Sequence, residues 1–170
     1  MLFFFAHSGV TTVGVVVESE EKKEGEGEEQ ADPLGPALIP SLEKAYQNAE
    51  VPIKALVLAN PNNPLGRYYS QEVLEECLKF CQRHNLHLIS DEVLGLDTFP
   101  SPDLPNSPSF VSALSLDPLA LGCDPDRVHV VWTTSKDLGV SGMRLVCRPR
   151  EIDLYRLHIL YFSSPVPLSK

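Results

Sequence analysis

Three short apolar runs, at residues 54–59, 86–90 and 128–133, each break into polar residues at their carboxyl end. Between the first two, Val73, Leu74, Cys77, Leu78 and Cys81 recur at three- and four-residue spacing, which predicts a helix over 70–84 with Ser70 as its cap. Strand, helix and strand in that order make a parallel pair with a right-handed crossover in nearly every known case. The chain is therefore expected to be α/β, a mainly parallel sheet with flanking helices. A shorter helix is expected over 41–49 with Ser41 as cap, and a further strand over 9–18. Six prolines between Phe99 and Pro125 break regular structure there, leaving a loop with one short helix at 111–116.

The ends of the strands carry the chemistry. In open α/β sheets ligands lie beyond the carboxyl ends of the strands. The first run opens into Asn60-Pro61-Asn62-Asn63-Pro64-Leu65-Gly66, a stiff loop able to hold the Asn63 amide in one orientation. The second runs into Asp91-Glu92. The third ends in Thr133-Thr134-Ser135-Lys136, and Arg144 follows after a turn containing Gly139 and Gly142. An amide, a carboxylate and an amine are thus offered on one edge. A lysine in a pocket loses its proton by partial desolvation, and a neutral amine can attack an aldehyde.

The order NPNNPLG, SDEV, SKDLGVSGMR resembles the large domain of class I/II aminotransferases, and within them aminocyclopropane-carboxylate synthase-like proteins. The resemblance implies a partial aspartate-aminotransferase-like architecture, the type I fold of pyridoxal-phosphate enzymes. Lys136 then matches the catalytic lysine that forms the internal aldimine and later carries the substrate's alpha proton. Asp91 matches the carboxylate that pairs with the pyridine nitrogen and keeps the ring an electron sink. Asn63 matches the amide on the phenolic oxygen; Thr133, Ser135 and Arg144 match the groups that hold the phosphate. Pyridoxal 5'-phosphate is the implied cofactor, an amino acid the implied substrate, and a cytoplasmic homodimer the implied assembly.

Each residue also has a plainer role open to it. Asp91 can cap a turn, Asn63 can form one, Lys136 can be an exposed lysine, and Arg144 can pair with Asp137 or Glu151. Ser135 beside Lys136 also suits a serine–lysine hydrolase, but neighbours on an extended segment point to opposite faces. Where the family has a tyrosine after Asp-Glu-Val, this chain has Leu94, and Leu145-Val146 replaces the Arg-x-Gly pattern. The family's phosphate loop, ring-stacking aromatic and small domain have no counterpart here, so the chain is expected to be a fragment. It divides into 1–36, a strand plus an acidic flexible segment; 37–146, the large-domain core; and 147–170, a divergent tail. The alternative reading is a non-catalytic truncated isoform or interaction module.

Composition excludes other classes. With 43% hydrophobic and 22% charged residues the chain can build a globular core. A net charge of -9 without a basic patch argues against nucleic acid. Much of that charge lies in 18–29, a Glu-rich stretch that stays solvated. The apolar residues before it are interrupted by His7, Ser8, Gly9, Thr11 and Thr12, so neither a signal peptide nor a membrane span is expected. Cys77 and Cys81 sit at core spacing on the longer helix. His84 and His87 are assigned to a helix end and a strand start, and no metal site is expected.

Overall fold

A computed structural model describes residues 13–17, 32–100, 102, 109–140 and 146–147. These run as α1 (Leu38–Gln47), β1 (Ala55–Ala59), α2 (Gln71–Arg83), β2 (His87–Asp91), 3-10 turns at Ala113–Ser115 and Pro125–Arg127, β3 (Val128–Thr133), α3 (Thr134–Asp137) and β4 (Val146–Cys147). The first three strands are parallel in sheet order and β4 lies antiparallel to β3. This is the sheet expected from the strand, helix and strand order.

The long helix begins where its cap predicts. Ser70 Oγ accepts from the Val73 amide at 3.4 Å, Glu72 lies in the first turn and Arg83 in the last. Asn85 ends it in the left-handed region at φ 58°, and the Leu86 amide reaches back to the Cys81 carbonyl at 2.8 Å. The expected stripe is buried: Leu74 and Cys77 are 0% exposed.

The shorter helix starts three residues before the expected cap. Ser41 lies inside it, its hydroxyl donating to the Ala37 carbonyl at 2.9 Å, and Ala37 offers no side-chain cap. Early entry buries Leu38 together with Leu42 on one face. Burying a leucine stabilises by about 1.5–3 kcal/mol, whereas a cap contributes about 1 kcal/mol, so burial wins. Pro40 is harmless in a first turn, where no helical partner exists for its nitrogen.

Register fixes the two faces of the sheet. Leu56, Leu58, Leu88 and Val128 fall on the face that packs against Val73, Leu74 and Leu78 of α2. The other face carries Val57, 39% exposed, Ile89 and the rings of His87 and His129, stacked with Nδ1 and Nε2 2.8 Å apart. His84 turns elsewhere: its Nε2 meets Glu43 Oε2 at 2.7 Å, and Glu43 also accepts from Arg83, which locks α1 to α2. The two histidines therefore serve different partners. Residues 13–17, expected as part of a strand, carry no regular structure, although Val17 packs on the core. The rest of that expected strand, the acidic stretch 18–29 and the tail from 148 lie outside the described residues.

The proline-rich segment is anchored at two points. Asn60, fully buried, donates from Nδ2 to the Val111 carbonyl at 2.9 Å and accepts the Tyr69 amide on Oδ1 at 3.3 Å. Glu92, 5% exposed, accepts from the Ser90 hydroxyl at 2.8 Å, the Ser112 hydroxyl at 2.5 Å and the Ala113 amide at 2.8 Å. The short helix expected at 111–116 is the 3-10 turn Ala113–Ser115, capped by Ser112.

Candidate functional site

The carboxyl edge of the sheet brings the candidate groups together because three parallel strands all end there. Beyond β1, Asn62 closes the loop on itself: its amide donates to the Arg67 carbonyl and its own carbonyl accepts from Gly66, both at 2.8 Å. Gly66 stands at φ 63°, where a side chain would be strained. The loop is tied outward by Arg67, whose guanidinium grips the Asp32 carboxylate at 2.7 and 3.2 Å. That leaves Asn63 at the mouth of the edge, on the exposed side of the loop.

At the end of β2, Asp91 is half-buried. Burial pushes its carboxyl above the ordinary value; one weak bond from the Val93 amide at 3.4 Å opposes this, and the neighbouring Glu92 charge adds to it. A cationic donor delivered to Asp91 would offset that desolvation. After β3 the chain makes a single helical turn. Thr133, still extended, accepts the Ser135 amide on Oγ1 at 3.2 Å and donates to Ser135 Oγ at 3.0 Å. Ser135 thereby keeps its own hydroxyl proton to donate.

Ser135 and Lys136 lie in a helical turn, contrary to the expected extended segment, because Thr133 caps the turn and Leu138 N returns to the Thr134 carbonyl at 3.3 Å. Successive side chains are therefore about 100° apart instead of on opposite faces. Lys136 lines a cavity of about 120 Å³ together with Asn63, Asp91, Leu94, Pro61 and Val93. Three of the sequence candidates, Asn63, Asp91 and Lys136, thus meet in one space; Thr133 and Ser135 bond each other and do not line it. Arg144 lies outside the described residues.

A larger cavity, about 490 Å³, opens on the helix-bearing face between Leu96, Phe110, Leu114, Val130 and Trp132. It is apolar, and its one acid, Glu92, is already engaged by three donors. Size does not decide function here; convergent polar groups do. The smaller cavity has an amine, an acid and an amide, a set that fits an aldehyde-bearing, protonatable ring.

The profile of the family described as aminotransferase class I and II matches residues 36–147. The chain belongs to this family. The probable aminotransferase aclI of Aspergillus oryzae is 51% identical over 120 residues, 71% of this chain and 29% of that protein. The probable aminotransferase gliI of Aspergillus fumigatus is 41% identical over 142 residues, 84% and 31% of the two chains. The human 1-aminocyclopropane-1-carboxylate synthase-like protein 1 is 46% identical over 109 residues, 62% and 20%. The chain thus spans about a fifth to a third of the length of these relatives. Among solved structures, an aspartate aminotransferase from Rhodobacter sphaeroides superposes with a TM-score of 0.50 at 22% identity, covering 64% of this chain and 24% of that one, which shows the shared fold. The cofactor of the class I and II aminotransferases is pyridoxal phosphate.

Three residues of this aminotransferase segment matter to the edge without having stood out in the sequence. Asn60 and Glu92 hold the walls, and the Trp132 indole donates to the Asp137 carboxylate below α3. Nothing in NPNNP separates Asn60 from Asn63. The only sequence signal is that a polar side chain directly ending a buried strand needs an internal partner.

Proposed function

We propose that residues 37–146 form the cofactor-binding core of a pyridoxal-phosphate-dependent aminotransferase or aminocyclopropane-carboxylate synthase-like protein that acts on an amino acid. The observation that carries this reading is the convergence of Lys136, Asp91 and Asn63 on one cavity at the carboxyl ends of parallel strands. When bound, the cofactor supplies an aldehyde that an amine can hold covalently and a ring that takes up the electron pair left by a departing alpha proton. Lys136 Nζ would be the amine that holds it and, once freed by substrate, the base that takes the alpha proton. Asp91 would hold a proton on the ring nitrogen, a role suited to a half-buried carboxylate short of hydrogen-bond donors. Asn63 would donate to the phenolic oxygen, and Thr133 and Ser135, with Arg144, would take the phosphate.

A homodimer and a cytoplasmic location are carried over from the family as part of the same proposal. Cys77, Cys81 and Cys123 are free thiols, which suits a reducing compartment. Among the described residues no helix is long and apolar enough to cross a membrane.

The test is to mix the purified chain with pyridoxal phosphate, reduce with borohydride and map the modified lysine by peptide mass spectrometry. Selective labelling of Lys136, lost in Lys136→Ala with the fold intact, supports the reading. Scattered or absent labelling overturns it in favour of a non-catalytic module that keeps only this part of the fold.

A further inference from the structure

Lys136 reaches its cavity from a turn of only four residues, α3, and so short a helix does not hold itself, because the first turn of any helix fixes more backbone than its hydrogen bonds return. Its two ends are fastened from different sides. Thr133 caps the start through Oγ1. At the other end the indole nitrogen of Trp132 donates to Asp137 Oδ2. Strand alternation puts Trp132 on the same face as Val130, the helix-bearing face, while Lys136 lines the cavity with Asp91, whose side chain belongs to the opposite one.

We infer that the Trp132–Asp137 hydrogen bond is the positioning device for Lys136: it pins α3 from beneath the sheet edge and so directs the adjacent amine into the cavity. The inference rests on the reading of Lys136 as the cofactor lysine. A second observation shows what the bond restrains. Asp137 Oδ1 and Thr134 Oγ1 are both buried without a hydrogen-bond partner among the described residues. A half-buried carboxylate whose inward oxygen already lacks a donor turns to water when the other oxygen loses its own. The turn carrying Asp137 would rotate with it, and Lys136, its neighbour in the chain, would leave the cavity. Trp132 and Asp137 touch no reacting atom; they are positioning residues.

Three variants separate this from general damage. Trp132→Phe and Asp137→Ala remove the bond, whereas Asp137→Asn keeps an oxygen that accepts from the indole. The probe is pyridoxal phosphate itself, followed by absorbance titration and by mapping the reduced lysine. The first two variants are expected to bind about tenfold more weakly and to scatter label over other lysines, with Asp137→Asn restoring both affinity and selectivity. Wild-type affinity and selectivity in Asp137→Ala overturn the proposal.

A readout without cofactor distinguishes its failure from failure of the cofactor reading. Trace acetylation with acetic anhydride reports each lysine in one experiment, and Asp137→Ala should change the rate at Lys136 alone, with recovery in Asp137→Asn. The chain has one tryptophan, so its indole proton resonance confirms in each variant whether the bond is lost. If wild type takes no cofactor at Lys136 but acetylation there still follows the bond, the positioning stands and the cofactor reading falls. Acetylation indifferent to the bond overturns the positioning.

Discussion

Ser112 Oγ donates to Glu92 Oε2 at 2.5 Å, and through that bond the segment following the proline-rich stretch is fastened to the end of β2. Glu92 also accepts the amide of Ala113, a residue 1% exposed. Removing the carboxylate in Glu92→Ala strands a buried amide and two hydroxyls. The expected loss is about 3 kcal/mol, against about 1–2 kcal/mol for Ser112→Ala, which leaves two of the three donors in place. Urea unfolding of both variants and of the double mutant checks this. Because the residues share one network, the double mutant should be less destabilised than the two single losses added together.

Asp91 should trade stability for binding. Its folded carboxyl is raised by burial, so ionisation at neutral pH costs the chain stability that is fully present below the ordinary carboxyl value near 3.8 and lost as pH rises through the folded value. Asp91→Asn removes that cost. Without cofactor the variant should be more stable than wild type at pH 7, with the advantage vanishing as pH falls below the carboxylate range. With pyridoxal phosphate added the order should reverse, since an amide does not hold the ring proton. Thermal unfolding at several pH values, with and without cofactor, reads both. A variant less stable than wild type at pH 7 would mean Asp91 is already compensated.

Cys77 and Cys81 are packed at 0% and 2% exposure, and burial pushes both thiols up to about 12. Burial thus disfavours ionisation of both thiols, and only the thiolate is nucleophilic. Iodoacetamide should therefore leave both unmodified in the folded chain and label both in urea, as intact-mass analysis would show. Native labelling of either would mean that the apolar face of α2 is not packed on the sheet.

The elements legible in advance were those whose sequence signal and burial agree. Val73, Leu74, Cys77, Leu78 and Cys81 set α2, Ser70 caps it, and the apolar runs ending at Ala59 and Ser90 give strands that end at Ala59 and, one residue later, at Asp91. The start of α1 was hidden because a local signal, Ser41, competed with a distant one, the burial of Leu38. Asn63 and Lys136 were singled out from residue type and position just past a strand end, and both line one cavity, Asn63 from a loop and Lys136 from α3. Long-range partners were not: Asn60 bonds Val111, and Glu92 bonds Ser112 across the proline-rich stretch, and no spacing rule links them. Trp132 and Asp137 are close in sequence, yet their bond depends on α3 being helical, which four residues do not announce.

Leu94 lines the same cavity as Asn63, Asp91 and Lys136, at the position where the family usually has a tyrosine. On the role proposed for Asn63, a hydroxyl there would add a second donor to the cofactor's phenolic oxygen. One such bond contributes about 0.5–1.5 kcal/mol net, so Leu94→Tyr should tighten pyridoxal phosphate binding by about two- to tenfold. Leu94→Phe supplies the ring without the donor and serves as the control for packing alone. Absorbance titration of the three proteins separates the effects: tyrosine above both leucine and phenylalanine assigns the gain to the hydroxyl. Equal affinities for the tyrosine and phenylalanine variants would show that the cofactor's phenolic oxygen does not come within reach of this position.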